Sequence, residues 1–342
     1  MTTRSVHLVG TLPAGSASDA FAWATGILGH TIGPSMPDGE TGERRDWVNR
    51  LVENLRGHPD LELVRDGKWT SYTDTPAFRV KRGHHLRTID LDYAAEFEKS
   101  WPVYEDMVSG SGRRLQVGIP SHFDVAAIAF GFNLPVAVRH LAPFRDATIR
   151  EMGAIWGRGG NQVVYQLEVP IELIMLSKLP RPAQPAAAKR FAREILRLVE
   201  AAPRGSHLGL HLCLGDLNNE AMGDPADAGP LVTLANAIMA EWPRGRTLDY
   251  LHAPFARGSQ PASVDPDYYA PLAGLGLPAD VRFIGGFIHE DRTIKEQLMV
   301  RDQIEHILER TIDVAASCGL GRRERPAARK NLEIAKAVAE AP

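Results

Sequence analysis

The sequence has few cysteines and no marked excess of either charge. Only Cys213 and Cys318 occur among 342 residues, so a disulfide framework is excluded and reduced thiols are expected. Lys and Arg number 39 against 42 Asp and Glu, a formal net charge of −3. Nucleic-acid binders usually carry a strong basic excess, so this balance argues against a nucleic-acid partner.

Long apolar runs are also missing. The most apolar stretch, residues 125–132, is far shorter than the roughly 20 residues needed to cross a bilayer. The first ten residues lack the charged start, apolar core and small-residue cleavage site of a secretory signal. We therefore expect a cytoplasmic protein that has no membrane partner.

Apolar patterning predicts the fold. Hydrophobic residues make up 44% of the chain, enough for a large core. Short aliphatic runs alternate with segments of helical period. The predicted strands are residues 6–10, 30–33, 115–119, 163–168, 207–213, 248–252, 281–288 and 313–318. The predicted helices are residues 18–28, 44–55, 94–108, 135–155, 185–200, 229–240, 294–310 and 326–339. Eight alternating pairs predict an α/β fold, a (β/α)₈ TIM barrel that forms one domain over residues 1–342.

One region interrupts this alternation. Residues 58–90 contain Trp69, Tyr72, Phe78 and Val80, and we predict that they form a hairpin inserted after the second strand. A doubly wound open sheet is the alternative fold. Against it, the residues after the first strand, 10–13, lack the G-x-G-x-x-G spacing of a nucleotide-binding turn.

Polar residues that could act as acids, bases or metal ligands lie at the predicted strand ends, where the active site of a TIM barrel forms. Every strand after the first is followed or ended by one: Glu40, His122, Glu168, His211 with Cys213, His252, His289 and Cys318.

Three of these residues suggest a metal site. His211 and Cys213 are two apart, so their side chains lie on one face of a strand. With Cys318 they match the nitrogen and sulfur ligands of zinc, and three protein ligands with an open position are typical of catalytic zinc. Each cysteine taken alone could instead be a small buried apolar residue, and Glu168 could form a structural ion pair. Arg322 and Arg323 could begin a solvated helix or hold a substrate anion.

Three motifs carry a resemblance to a known family. They are His-x-Cys at 211–213, Cys-Gly-Leu-Gly-Arg-Arg at 318–323, and Gln-x-Glu-x-Pro at 166–170. Together they resemble the catalytic domain of cobalamin-independent methionine synthase. The wider superfamily includes coenzyme M methyltransferases and uroporphyrinogen decarboxylase. The resemblance implies a barrel whose zinc activates a thiol, with His211, Cys213 and Cys318 as ligands.

The resemblance also implies roles for other residues. Glu168 and Glu40 take the places of acids that contact the substrate amino group, and His289 that of a candidate acid. Methionine synthases supply a fourth ligand, a Glu, after the sixth strand, whereas residues 251–254 here contain none.

The resulting prediction is a zinc-dependent thiol alkyltransferase, in which a methyl group passes to a metal-bound thiolate. The thiol is a small molecule, and the donor is a folate, a corrinoid or a small metabolite. Glu168 and His289 are the predicted catalytic residues, while the substrate contacts are Glu40, His122, Gln166, His252, Arg322 and Arg323. The chain is expected to be a monomer or homodimer.

Two alternative functions stay open. One is a metal-free decarboxylase or lyase of the uroporphyrinogen decarboxylase type, in which the cysteines are incidental. The other is a non-catalytic zinc protein in which His252 closes the site as a fourth ligand.

Overall fold

The computed structural model describes residues 4–342 as alternating strands and helices. The strands are β1 Ser35–Pro37, β2 Leu61–Arg65, β3 Ala77–Val80, β4 Arg114–Pro120, β5 Val163–Val169, β6 His207–Leu212, β7 Thr247–Pro254, β8 Arg282–Ile288 and β9 Asp313–Ala316. The helices are α1 Ala17–Leu28, α2 Trp47–Glu53, α3 Tyr93–Met107, α4 His122–Ala129, α5 Leu134–Arg139, α6 Leu141–Gly159, α7 Pro170–Lys178, α8 Gln184–Ala201, α9 Gly229–Ala240, α10 Pro266–Tyr269, α11 Ile294–Leu308 and α12 Arg325–Glu340.

Seven strands form one curled parallel sheet in the order β1-β4-β5-β6-β7-β8-β9. Central strands such as β5 are buried along nearly their whole length. Near-continuous aliphatic runs of this kind are typical of parallel strands that are covered on both faces. This α/β architecture is consistent with a TIM-like barrel, as the alternation of strands and helices predicts.

A short segment lies between the two edges of this sheet. Val6 forms isolated parallel bridges with Ile32 and with Val314. Its N–H donates to Thr31 O at 2.7 Å, and the His7 N–H donates to Val314 O at 2.9 Å. The predicted first strand, residues 6–10, is therefore reduced to these bridges. It nevertheless lies between the two edges of the sheet, where the first strand of a barrel is expected.

The predicted second strand is wrong in its position. Residues 29–31 form a 3₁₀ turn, and the strand itself, β1, begins at Ser35. The turn follows because Gly29 ends α1 with a φ of 60° and the Thr31 hydroxyl donates to Leu28 O at 2.8 Å. Local capping at the end of α1 thus delays the strand.

Two short helices follow strands directly and were not predicted. Helix α4 comes after β4, and α7 comes after β5. Nearly every residue of α4 is buried, so its apolar residues show no helical period. The predicted helix at 135–155 is two helices, α5 and α6, which meet at His140.

Strands β2 and β3 form a separate antiparallel pair between α2 and α3. Their pairing brings Leu61 opposite Val80. That this pair is an insertion into the barrel, with bounds 58–90, stays a prediction. Within residues 4–342, no helix has both the length and the apolar character required to cross a membrane.

Candidate active site

The three predicted metal donors meet at the carboxyl ends of the strands. His211 and Cys213 come from the end of β6, and Cys318 follows β9. The two sulfur atoms are 3.8 Å apart, and His211 Nε2 lies 4.0 Å from Cys318 Sγ. All three donor atoms lie within 4.8 Å of one another, a grouping found nowhere else in the described part of the chain.

This spacing fits a tetrahedral zinc ion. With Zn–S bonds of about 2.3 Å, two sulfur ligands of one zinc stand about 3.8 Å apart. The donor set of one imidazole and two thiols also matches the preferences of zinc. The side chains that the sequence separates by 105 positions therefore already have the spacing of ligands to one ion.

A second histidine orients the first. His252 Nε2 lies 3.0 Å from Ala316 O, and because a carbonyl oxygen only accepts, this nitrogen carries the proton. Burial lowers the pKa of His252 to about 4, so the ring is neutral and its Nδ1 accepts. The His211 Nδ1–H therefore donates to His252 Nδ1 across 2.8 Å. This leaves the lone pair of His211 on Nε2, the nitrogen that faces Cys318.

The protonation of the donors follows from their surroundings. Burial and the neighbouring His252 hold the pKa of His211 well below its usual range, so the imidazole is neutral. The hydrogen bond with Cys213 and burial raise the pKa of the Cys318 thiol. Without a cation at this point, Cys318 therefore keeps its proton, and a metal ion would supply the charge that favours the thiolate.

A cavity of about 120 Å³ opens over these donors. Glu40 and Glu168 lie on its wall, and both are predicted site residues. Gly118 lies beneath them, where a Cβ atom would come within 2.7 Å of Glu40 Oε1 and 2.9 Å of Glu168 Oε1. Glycine at this position therefore allows the two carboxyl groups to approach the same point of the sheet.

Burial raises the pKa of both carboxyl groups, and the charge of Glu168 raises that of Glu40 further. Glu40 also has a left-handed backbone, with a φ of 43°, held where its N–H donates to Asp38 Oδ1 at 2.9 Å. Strained backbone of this kind concentrates at functional sites. A bound positive charge near the pair would favour ionisation of at least one of the two groups.

The two predicted arginines, Arg322 and Arg323, lie in different places. Arg322 lies on the cavity wall and pairs with Asp46 and Asp216, each at 3.2 Å. Arg323 is not on this wall: it pairs with Glu290 at 2.8 Å and donates to Gly258 O at 2.8 Å. Of the two, only Arg322 lies on the cavity wall.

Four other predicted residues lie outside the cavity wall. His122 begins α4 and faces Glu194 on α8, with 3.4 Å between Nε2 and Oε2. His289 has both ring nitrogens on main-chain groups, Gly258 O and the Asp291 N–H. Gln166 lies one layer below Glu168 and donates to it at 3.1 Å. His252, as above, contacts His211 from behind, so neither of its nitrogens faces the two sulfur atoms.

Sequence reasoning missed several cavity residues. Asp124 on α4 is fully buried and lines the wall. The available signal is an acid inside an apolar run, whereas the sequence prediction names His122, two positions earlier. Trp47, Trp69 and Tyr72 complete an aromatic side of the cavity. Two of these lie in the 58–90 region, where distance along the chain gave no indication of contact with the site.

No protein-family model matches the sequence, and no curated protein matches it. Its fold is similar to a solved B12-independent methionine synthase from Shewanella sp. W3-18-1 in complex with selenomethionine. That likeness has a TM-score of 0.63 and 11% identity, over 99% of this chain and 97% of the other. A putative vitamin-B12 independent methionine synthase from Listeria monocytogenes gives 0.57 and 13%, over 94% of this chain and 86% of the other. The structural neighbours are thus those that the motif resemblance predicted, and at these identities the likeness establishes the shared fold.

Proposed function

We propose that this chain is a zinc-dependent thiol alkyltransferase that transfers a methyl group to a small-molecule thiol. The observation that carries the proposal is the grouping of His211 Nε2 with the sulfurs of Cys213 and Cys318 on the wall of a cavity. The likeness of its fold to B12-independent methionine synthases supports the same chemistry.

His211, Cys213 and Cys318 are the residues that would hold zinc, and the ion would lower the pKa of a thiol bound in its open position. His252 keeps the Nε2 lone pair of His211 on the side of the two sulfur atoms, where the ion would be held. Because His252 uses both nitrogens elsewhere, it leaves the fourth position free. This supports an open, catalytic site over a closed storage site.

Glu40 and Glu168 bind the ammonium group of the thiol substrate in this proposal. Two close carboxyl groups ionise one after the other, so one can carry the charge that binds the ammonium while its partner keeps a proton. That proton is available to a leaving group on the alkyl donor. His289, which lies off the cavity wall, is not placed for this task.

The cavity wall also argues against a metal-free decarboxylase that binds a polycarboxylate. Four acids line it, Glu40, Asp124, Glu168 and Asp216, against one arginine. That arginine, Arg322, already pairs with two aspartates. A substrate with several carboxylates would meet repulsion here. The donor, whether a folate, a corrinoid or a small metabolite, stays open in this proposal.

Metal analysis tests the proposal. Purified protein is expected to hold close to one zinc per chain, and Cys213→Ser and Cys318→Ser are each expected to lose it, because each removes one of three ligands. Ser206→Ala, at the opposite end of β6, is the matched control and should keep its zinc. Full zinc retention in both cysteine variants would overturn the assignment.

The cobalt-substituted protein separates an enzyme from a storage protein. L-Homocysteine, L-cysteine and 2-mercaptoethanesulfonate are added in turn while the visible absorption spectrum is followed. A spectral change with at least one thiol is expected, because the open position accepts sulfur. An unchanged spectrum with all three would favour the closed, non-catalytic site.

A further inference from the structure

One arm of the cavity runs between two helices that sequence patterning missed. Helix α4 contributes Asp124 and Ile128, one helical turn apart, and Phe132 follows in the next turn of chain. Helix α7 packs beside it and contributes Ile171 and Ile174. We call these five residues the α4–α7 groove. Four of them are apolar, and the acid lies at the most buried position.

Asp124 is a buried acid without a hydrogen-bonded side-chain partner in the described part of the chain. Its side chain is 0% exposed, yet neither carboxyl oxygen has a hydrogen-bond partner among residues 4–342. Burial raises its pKa well above the ordinary value, as do the nearby acids Glu172 and Glu168 and the Cys213 thiol. The Ile171 N–H is close enough to oppose part of this rise, although it falls outside hydrogen-bond geometry. A buried polar group without a partner is costly, and native structures contain few of them.

A second buried carboxyl oxygen near Asp124 also lacks a hydrogen bond. Glu172 accepts from the Ser121 hydroxyl at 2.6 Å with one oxygen, and its other oxygen has no partner among the described residues. Asp124 belongs to no group of three metal-binding side chains in that part of the chain, which argues against a metal ion as its partner. A hydrogen-bond donor from outside the chain would satisfy these oxygens.

We infer that the α4–α7 groove binds a molecule with an apolar body and a nitrogen-bearing end, an ammonium or a protonated heterocycle, whose N–H donates to Asp124. The apolar side chains contact the body, and the carboxyl receives the N–H. This subsite is distinct from the Glu40 and Glu168 pair. That the ligand is the alkyl donor rests on the proposed function, since the thiol already has its own contacts.

Binding of two matched probes tests the inference without turnover. 4-Phenylbutylamine and 4-phenylbutan-1-ol have the same apolar body and differ in the end group. Isothermal titration calorimetry on the zinc-loaded protein should show the amine binding at least about tenfold more tightly, as expected for a buried charged hydrogen bond. Asp124→Asn should remove this preference and leave alcohol binding within about threefold, because it keeps the shape and removes the charge.

Two further variants keep the test decisive. Glu168→Gln, in the other carboxyl pair, should leave the amine preference intact. Ile128→Trp, which fills the groove, should weaken both probes at least about tenfold, because it removes the space for their shared apolar body. Zinc content and circular dichroism confirm that each variant is folded.

The inference is overturned if the two probes bind wild type equally, or if Asp124→Asn keeps the preference. It is also overturned if Glu168→Gln abolishes the preference, or if Ile128→Trp leaves both affinities unchanged. Failure of the proposed function would instead appear as zinc retained in the cysteine variants or as cobalt spectra indifferent to thiols. The two failures are therefore distinguishable.

Discussion

Glu172 on α7 is a fully buried acid with one hydrogen bond, and its protonation bears on stability. Burial raises its pKa from 4.5 to about 7, although the Ser121 hydroxyl opposes the change. The folded chain thus keeps a proton that the unfolded chain releases as pH rises between these two values. Its contribution to stability is complete below pH 4.5 and is lost as the pH passes 7.

We therefore expect Glu172→Gln to make the metal-free protein more stable at pH 8, by about 1–3 kcal/mol, because the amide has no proton to lose. Near pH 4.5 the variant and wild type should have similar free energies of unfolding. Urea unfolding at several pH values, with chelator present, measures both. A difference that stays constant with pH would contradict the account. Glu241→Gln, at an exposed position that follows α9, is the control for a change of surface charge.

The metal donors are the part of the site that the sequence predicts best. His211 and Cys213 are predictable because strand alternation places residues two apart on one face. Their meeting with Cys318 follows because parallel strands present their carboxyl ends at one mouth. Asp124 is not predictable in this way, since its significance lies in the partner it lacks. Likewise, His289 and Arg323 stand close to the mouth in sequence, but main-chain groups and Glu290 hold them away from the cavity.

The loop between β2 and β3 covers one side of the cavity. The Tyr72 hydroxyl accepts from the Leu217 N–H at 2.8 Å and donates to Glu220 O at 3.0 Å. Asn218 adds a bond by donating to Trp69 O at 3.0 Å. Trp69 and Tyr72 both line the cavity. The loop is therefore fastened to the chain that follows β6, close to Cys213.

Tyr72→Phe is expected to loosen this loop, since it removes two hydrogen bonds and keeps the aromatic ring. Two such bonds, at about 0.5–1.5 kcal/mol each, correspond to an opening equilibrium raised roughly 5- to 150-fold. Hydrogen exchange followed by mass spectrometry should show faster exchange in residues 66–76 and 215–220. Tyr268→Phe, outside this contact, should leave those segments unchanged. Equal exchange in Tyr72→Phe and wild type would mean that the hydroxyl does not hold the loop.

Elements with a clear period are predicted to within a few residues, as α8 and α12 illustrate. Such helices have one buried and one exposed face, which sets a 3.6-residue repeat. The misses have the opposite character. Helix α4 is buried on nearly all sides, so no repeat exists to detect. Strand β1 is three residues long, and its position depends on how α1 ends.

The sheet as a whole is joined near the start of the described chain. Asp313 at the start of β9 accepts from the Ser5 N–H at 2.6 Å and the Ser5 hydroxyl at 2.7 Å. Its other oxygen accepts from Arg282 Nε at 2.7 Å. One carboxylate therefore links the starts of β8 and β9 to the segment that bridges Ile32 and Val314.

We expect Asp313→Ala to destabilise the protein by about 1–3 kcal/mol, because Arg282 and Ser5 would lose their common acceptor. The loss stays within this range because Arg282 is partly exposed and can be solvated by water. The midpoint of urea unfolding measures the change. Asp280→Ala, a nearby exposed position, should shift it by less than about 0.5 kcal/mol. Matching shifts in the two variants would show that the carboxylate does not join the sheet.

Cys318 stands beyond β9, whereas His211 and Cys213 stand at the end of β6, with β7 and β8 between them. An ion shared by these side chains would act as a brace across the rim, and it would resist any spreading of the intervening strands. The rate at which the protein releases the ion should therefore depend on the spacing between β6 and β9. A substitution remote from the three ligands that flattens the sheet should speed zinc release, even though every ligand is intact.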